Sequence, residues 1–261
     1  MSGEAMTPPP LLAAEGVGFH YRHGAPVLHD VGLAIAPGES VGLVGESGAG
    51  KTTLLRLLLG LDEPTSGRIL FDGRPLSQAD RAGMRAFRRA VQPVFQDPFS
   101  SLDPRMTVGD SIAEPLRSLR IPGGRAERAA RVAELLRAVD LPADAAGSYP
   151  DAFSGGQRQR IAIARALAPE PALLLADEPV SALDTSVRML VIELFVRLAR
   201  ERGIGMLLVS HDLTIVSALC ARMTVLEGGR IVEEGPTGSV LSDPHHHYTQ
   251  RLLSSVPRLP G

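Results

Sequence analysis

A glycine-rich segment that ends in a lysine and a threonine is the clearest sign of chemistry in this sequence. Residues 45–52 match the phosphate-binding pattern G-x-x-x-x-G-K-[ST]. Glycines let the backbone wrap closely around a phosphate with its N–H groups pointing inward, and a following helix adds its positive N-terminal end. We expect Lys51 to reach the β- and γ-phosphates of a nucleotide and the Thr52 hydroxyl to ligate Mg²⁺. The predicted nucleotide-binding residues here are Gly45, Glu46, Ser47, Gly48, Ala49, Gly50, Lys51, Thr52 and Thr53.

A pair of acids at the end of an apolar run is the second chemical feature. Residues 173–176 are apolar, and Asp177 and Glu178 follow them directly. In open α/β sheets, ligands bind at the carboxyl ends of the parallel strands, which is where these acids would lie. We expect Asp177 to hold Mg²⁺, directly or through water, and Glu178 to orient or deprotonate an attacking water. The alternative, two surface acids that cap the next helix, is disfavoured by the phosphate-binding segment.

The hydrophobic pattern predicts the scaffold that must position these residues. Strand-like runs alternate with helix-like stretches at both ends of the chain, which is typical of an α/β fold with a mostly parallel sheet. Between about 107 and 168 the periodicity is helical, and residues 121–124 interrupt it. The predicted strands are 11–22, 27–36, 40–44, 67–71, 91–95, 173–176, 205–209 and 223–227, and the other predicted helices are 53–59, 187–200 and 213–219.

Composition narrows the class of protein. The chain has 261 residues and a net charge of −2, so no overall basic field indicates nucleic acid as a partner. Its one cysteine, Cys220, excludes an internal disulfide and is expected to be a small buried apolar residue. Residues 1–10 lack the features of a secretory signal and predict a flexible leader. No apolar run approaches the roughly 20 residues that span a bilayer, so other chains would have to cross any membrane involved.

A third motif changes the interpretation of the nucleotide site. Ser154-Gly155-Gly156-Gln157, followed by an apolar helix, resembles the signature motif of the ABC (ATP-binding cassette) ATPases. In that family the motif faces the γ-phosphate bound by the opposite subunit. Ser154 would open a helix whose free N–H groups bind an anion. The resemblance therefore implies that residues 45–52 form only half of an ATP site.

Further family motifs occur in the expected order along the chain. Gln96 resembles the Q-loop glutamine, which contributes to the Mg²⁺ and water shell, and His211 resembles the switch histidine, which can donate a hydrogen bond to the γ-phosphate. Asp184 ends a segment that resembles the D-loop, and Tyr21 resembles the aromatic residue that stacks on adenine. The resemblance thus implies the cofactors ATP and Mg²⁺. It assigns catalysis to Glu178, His211 and Gln96, and metal ligation to Thr52, Gln96 and Asp177.

The resemblance also implies a fold and its boundaries. It covers about residues 11–256 as a single ABC ATPase domain. The expected fold is α/β: a P-loop NTPase (RecA-like) core with an antiparallel β subdomain and an inserted α-helical subdomain. The expected boundaries are 1–10 for the leader, 11–96 and 165–235 for the core, 97–164 for the helical subdomain and 236–261 for the tail. Phe153 replaces the usual leucine before the signature, and we expect it to pack under that turn.

Three local stretches resemble the oligopeptide/dipeptide/nickel importer branch of the family: residues 96–105, 177–184 and 248–253. That resemblance implies a second ABC ATPase subunit, expected to be a sibling, two transmembrane permease subunits, an extracytoplasmic substrate-binding protein and no nucleic acid. It places the chain at the cytoplasmic face of the inner membrane as a peripheral subunit. The cargo stays open among peptides, nickel or another metal chelate, and glutathione-like molecules. The alternatives are a soluble ABC ATPase of DNA repair or translation, and an ABC exporter subunit.

The histidines at 245–247 invite a metal-site interpretation. Adjacent histidines point in different directions on a helix or turn, so the sequence favours a solvated or helix-start tract over a specific set of metal ligands. No cysteine cluster accompanies them, and we expect no iron–sulfur site.

Overall fold

Two β-sheets organise the structure. The computed structural model describes residues 9–22, 24–97 and 101–254. One sheet is antiparallel with the strand order β2-β1-β4-β5, and the other has the order β10-β9-β3-β8-β7-β6, in which only β10 runs antiparallel to its neighbour. The strands are β1 Leu12–His20, β2 Pro26–Ile35, β3 Ser40–Val44, β4 Ser66–Phe71, β5 Arg74–Pro75, β6 Val91–Val94, β7 Leu173–Asp177, β8 Gly205–Val209, β9 Arg222–Glu227 and β10 Arg230–Pro236.

The α-helices connect and cover these strands. Three of them, α3 to α5, lie together in the long segment between β6 and β7. Two short 3₁₀ helices, Ala143–Gly147 and Pro150–Ala152, lie between α4 and α5. The α-helices are α1 Lys51–Leu58, α2 Arg81–Ala90, α3 Val108–Ser118, α4 Arg125–Ala138, α5 Gly155–Leu167, α6 Thr185–Arg202, α7 Leu213–Leu219, α8 Thr237–Ser242 and α9 His247–Ser254.

Strand β7, which lies between β8 and β6, separates two hydrophobic cores. Its residues alternate between the faces of the sheet, as the period of a strand requires. Leu173 and Leu175 pack with α1 and the antiparallel sheet, whereas Leu174 and Ala176 pack with the helical segment. Because both faces are covered, the whole run is apolar and buried. The strand is therefore packed on both faces, and this packing fixes the position of Asp177, its last residue.

The helical segment packs through one stripe on each of its longer helices. Ile112 on α3, Leu135 on α4 and Ile161 on α5 are fully buried in the same core. Phe153 is partly buried and packs against this core just before α5 begins, and its packing under the signature turn stays a prediction. The interruption predicted at residues 121–124 is also confirmed, since it lies between α3 and α4.

The predicted strands and helices all occur, with ends that differ by a few residues. Several elements were not predicted, among them α2, β10 and α9. Helix α2 is rich in arginine, and it begins where Asp80 accepts hydrogen bonds from Ala82 N–H and Gly83 N–H. The segment boundaries named above stay a prediction, and residues 1–8 of the predicted leader lie outside the described residues.

Two expectations from composition can be compared with the structure. Cys220 is buried, as expected, and this burial raises the pKa of its thiol to about 12. Among the helices of the described residues, none has both the length and the apolar character needed to cross a bilayer.

Candidate nucleotide-binding site

A cleft of about 830 Å³ opens where β3 and β7 end. Its volume is in the range of pockets that bind small ligands. Most of the residues predicted to bind nucleotide or Mg²⁺ lie on its wall. The lining residues are Val27, Val44, Gly45, Glu46, Ser47, Gly48, Gly50, Lys51, Thr52, Thr53, Gln96, Asp177, Glu178, His211, Leu213 and Leu252.

Two glycines allow the loop between β3 and α1 to take its shape. A Cβ atom at Gly45 would lie 2.3 Å from the carbonyl oxygen of Leu226, closer than any side chain permits. Gly50 has φ 107° and precedes the first residue of α1, a backbone conformation that favours glycine. Helix α1 therefore begins directly at the loop, with its N-terminal N–H groups at the cleft.

Lys51 and Asp177 face each other across the loop. The Lys51 ammonium donates hydrogen bonds to the carbonyl oxygens of Gly45, at 2.6 Å, and Glu46, at 2.9 Å. Burial lowers the pKa of Lys51, although nearby carboxylates oppose this shift. Burial raises the pKa of Asp177 and repulsion from Glu178 adds to the rise, while Lys51 and a hydrogen bond from Thr52 partly offset it. Two acids in a partly buried cleft thus favour a bound cation.

These groups suit Mg²⁺. The ion prefers oxygen ligands and is usually held by one or two carboxylates together with the phosphates of a nucleotide. Thr52, Gln96 and Asp177 offer a hydroxyl, an amide and a carboxylate on the wall of the same cleft, and Thr52 already hydrogen-bonds to Asp177. The donor set therefore fits the metal assignment made from the sequence.

Glu178 and His211 form a direct pair at the mouth of the cleft. The Oε1 atom of Glu178 lies 2.7 Å from His211 Nδ1 and also accepts the backbone N–H of His211 at 3.1 Å. Glu178 has φ 46°, a left-handed conformation that is strained for a residue with a side chain. Its own N–H is bonded to the carbonyl of Val209 on β8. The turn after β7 therefore aims this carboxylate at the histidine rather than along the strand.

The signature residues lie away from this cleft: none of residues 154–157 is part of its lining. Ser154 caps α5, since its Oγ accepts the N–H of Gln157 at 3.4 Å and the Gln157 side chain accepts the N–H of Ser154 at 2.9 Å. A Cβ atom at Gly156 would lie 2.1 Å from Val187 Cγ1, so this glycine allows α5 to approach α6 closely. The capped helix end is therefore not part of the lining of this chain's own nucleotide cleft.

Asp184 and Tyr21 also lie outside the cleft lining. Asp184 caps α6, with its carboxylate accepting the Val187 N–H at 3.0 Å. The ring of Tyr21 is 48% exposed and packs edge-on against Phe19. Its hydroxyl lies 3.2 Å from the Thr53 hydroxyl, which places the ring beside the cleft. An exposed aromatic ring there is compatible with stacking on a base.

Sequence reasoning missed the contact between the nucleotide loop and the last helix. The backbone N–H of Glu46 donates a 2.7 Å hydrogen bond to the hydroxyl of Tyr248, which lies on α9 and is only 2% exposed. Leu252 of the same helix lines the cleft. The tail was noted only for its resemblance to the importer branch. No local pattern could reveal the contact, since 202 residues separate its partners.

Comparison with known families gives two matches. The model of the ABC transporter family matches residues 28–181, and the model of the oligopeptide/dipeptide transporter C-terminal region matches residues 232–261. A provisionally named peptide import ATP-binding protein of Brucella ovis is 48% identical over 97% of this chain and 80% of its own length. The glutathione import ATP-binding protein GsiA of Escherichia coli K12 is 49% identical over 87% of this chain, which spans only 36% of GsiA.

Solved structures share the fold. The chain superposes on cbiO1 of Clostridium perfringens, part of the cbiONQ ABC transporter complex, with a TM-score of 0.80 and 29% identity over 90% of this chain and 92% of that one. It also superposes on the ATP-binding cassette MJ0796, whose dimer was solved in a post-hydrolysis state with ADP and Pi. There the TM-score is 0.77 and the identity is 32%, over 87% of this chain and 98% of that one.

Proposed function

Because the chain belongs to the ABC transporter family of ATP-binding subunits, we propose that it powers the uptake of peptides through separate membrane subunits. The match to the oligopeptide/dipeptide transporter C-terminal region supports a peptide importer, and the two relatives described above are named for peptide and glutathione import. These names support peptides, or a glutathione-like molecule, more directly than nickel or another metal chelate, which the sequence also left open as a cargo.

The proposed ATP site is shared between two cassettes. Residues 45–53 supply the phosphate loop, whereas the capped N-terminus of α5 at Ser154 lies outside the cleft of its own chain. A head-to-tail pair would bring Ser154-Gly155-Gly156-Gln157 of one cassette to the γ-phosphate held by the other. MJ0796, the structural neighbour described above, is itself dimeric. We propose that the second cassette is a sibling ATPase.

Within the paired site, each polar group has a distinct task. Lys51 exchanges its bonds to two loop carbonyls for bonds to the β- and γ-phosphates. Glu178 orients or deprotonates the attacking water, and His211, held by Glu178, donates toward the γ-phosphate where charge develops. Thr52, Gln96 and Asp177 would hold Mg²⁺, which when bound would supply positive charge opposite the phosphates of the nucleotide.

One observation carries the proposed link to the membrane: two consecutive residues line two different cavities. Gln96 is on the wall of the nucleotide cleft, whereas Phe95 lines a separate groove of about 290 Å³. Leu61 and Phe95 in this groove are 50% and 39% exposed, and Arg88, Glu114 and Arg165 are among its charged residues. A groove with exposed apolar side chains is suited to an apolar element of a permease subunit. Movement of Gln96 with the nucleotide would then reach that subunit directly, at the cytoplasmic face of the membrane.

Purification from detergent-solubilised membranes tests this function. A tagged chain should bring down two permease subunits and a second cassette. The Phe95→Glu variant should lose the permease subunits while its affinity for ATP stays within about twofold, because residue 95 is outside the nucleotide cleft. Val196→Glu places the same charge at another exposed apolar position, on α6, and serves as the matched control.

Two results would contradict the proposal. The first is recovery of the wild-type chain without any membrane protein, which would favour a soluble ABC ATPase. The second is equal loss of the permease subunits in the Phe95→Glu and Val196→Glu variants, which would show that the groove is not a specific docking site for them.

A further inference from the structure

Three side chains with metal-binding chemistry meet where α9 begins. Glu227 ends β9, and His246 and His247 lie at the start of α9. One possible ligand atom from each of these residues lies within 4.8 Å of the other two. The two imidazole rings are 4.3 Å apart between centroids and tilted by 42°. The side chains of the two adjacent histidines therefore lie close to each other and to a glutamate that lies 19 to 20 residues earlier in the chain.

The backbone around this cluster is held by contacts that need no metal. The carboxylate of Glu233 on β10 accepts the N–H of His245 at 2.8 Å and the N–H of His246 at 3.1 Å. These two bonds tie the histidine tract to the sheet that also carries Glu227. The ligand set thus comes from two elements, β9 and α9, whose relative position is already fixed. This preorganisation lowers the cost of ordering the ligands around an ion.

The two oxygens of Glu227 have different neighbours. Oε1 accepts from the guanidinium of Arg251 at 3.1 Å, whereas Oε2 lies 3.9 Å from Nδ1 of His246. Arg251 lies one turn along α9, with its guanidinium 5.6 Å from the centre of the Tyr248 ring. One oxygen of the Glu227 carboxylate is therefore directed toward the histidines, while the other is paired with the Arg251 guanidinium. Arg251 adds a positive charge near the cluster, which lowers the affinity of these side chains for a cation.

We propose that Glu227, His246 and His247 form a binding site for a divalent transition metal ion of the zinc type. Imidazole nitrogen and carboxylate oxygen bind Zn²⁺ at about 2.0–2.2 Å, so two ligand atoms on one ion are separated by about 3–4 Å. Small rotations of side chains that already lie within 4.8 Å reach this separation. Two imidazoles favour zinc, copper or nickel over Mg²⁺ and Ca²⁺, which take oxygen ligands. The site is separate from the predicted Mg²⁺ ligands at the nucleotide loop.

This proposal departs from the expectation of a solvated tract because of Glu227. Sequence spacing alone places His246 and His247 next to each other with no third ligand. The turn between β9 and β10 and the return of the chain at α9 bring in the carboxylate. His245 belongs to the same tract but is not a member of the cluster, which makes it a natural control.

Isothermal titration of the full chain with zinc chloride tests the site. The purification tag contains no histidine, because a histidine tag would itself bind zinc. Excess Mg²⁺ is present to occupy sites whose ligands are all oxygen atoms. We expect one zinc ion per chain. His247→Ala and Glu227→Gln should each weaken zinc binding at least tenfold, whereas His245→Ala should change it by less than twofold.

A structural side effect is separable from loss of a ligand. Glu227→Gln also affects the pair with Arg251, but His247 is exposed and its truncation should leave thermal unfolding of the metal-free chain unchanged. Absence of saturable zinc binding to the wild type would overturn the proposal. Equal weakening by His245→Ala and His247→Ala would do so as well, because it would indicate unspecific chelation by the whole tract.

Discussion

Replacing Tyr248 by phenylalanine removes a single oxygen atom on which the nucleotide loop depends. That hydroxyl accepts the 2.7 Å hydrogen bond from the N–H of Glu46, and the ring that carries it is buried. The phenyl ring would still fill the same space in the core. The substitution therefore tests the hydrogen bond with little effect on packing.

The magnitude follows from what the substitution leaves behind. A hydrogen bond between neutral groups contributes about 0.5–1.5 kcal/mol, and a buried N–H left without a partner costs about 1–3 kcal/mol. Because the bond is only partly buried, we expect the free energy of unfolding to fall by about 1–2 kcal/mol. If the whole loss acts on the loop conformation that binds nucleotide, ATP affinity falls by a factor of about 5–30, which is an upper bound.

Two measurements check this prediction. Chemical denaturation gives the free energy of unfolding, and calorimetry with a non-hydrolysable ATP analogue gives the affinity. Tyr149→Phe is the matched control, because it removes the same atom from a ring that is 50% exposed and outside the nucleotide cleft. If both quantities for Tyr248→Phe equal those of the wild type, the hydroxyl does not brace the loop and the reasoning is refuted.

Two further predictions concern a shared site and a structural ion pair. Ser154→Ala should suppress ATP hydrolysis by paired cassettes, while the nucleotide affinity of the isolated chain stays within about twofold. Thr107→Ala removes the cap of α3 and is the control. Each substitution should lower the free energy of unfolding by ~1 kcal/mol, but Thr107→Ala should leave hydrolysis intact. An equal fall in affinity and hydrolysis for Ser154→Ala would contradict the shared site. Burial alone would raise the pKa of Glu39, but its hydrogen bonds to Arg222 and to a backbone N–H hold that pKa below 4.5. The charged carboxylate therefore stabilises the fold above about pH 4.5. Glu39→Gln should lower the melting temperature at pH 7 and lower it progressively less below pH 4.5. A fall in melting temperature that does not depend on pH would be inconsistent with stabilisation by the charged carboxylate.

Local patterns were sufficient for the phosphate loop and for the strands beside it. The G-x-x-x-x-G-K-[ST] pattern specifies its own backbone geometry, and an apolar run such as residues 173–176 is typical of a strand buried on both faces. These features need no knowledge of distant residues. The nucleotide loop, the acids after β7 and the α/β order of the elements could therefore be predicted.

Contacts between distant segments could not be predicted in this way. Glu178 was assigned its task from its place after a buried strand, and His211 from family resemblance. Their 2.7 Å contact depends on how β7 and β8 lie side by side. Helix α2 escaped prediction because its arginine-rich sequence shows few apolar positions, of which Met84 and Phe87 are buried. The geometry of pairing between elements, rather than the identity of the residues, was the missing information.

The hydrogen bond between Glu46 and Tyr248 also determines how late in synthesis the nucleotide loop can reach its final conformation. A ribosome adds about 5–20 residues per second, so the 202 residues between the partners take about 10–40 s. For nearly all of that interval the nascent chain carries the complete phosphate-binding sequence without the hydroxyl that holds the loop. The nucleotide site reaches its final form only after α9 has been made and has docked. A nascent cassette thus acquires its braced ATP loop late, after all ten strands described above have been synthesised.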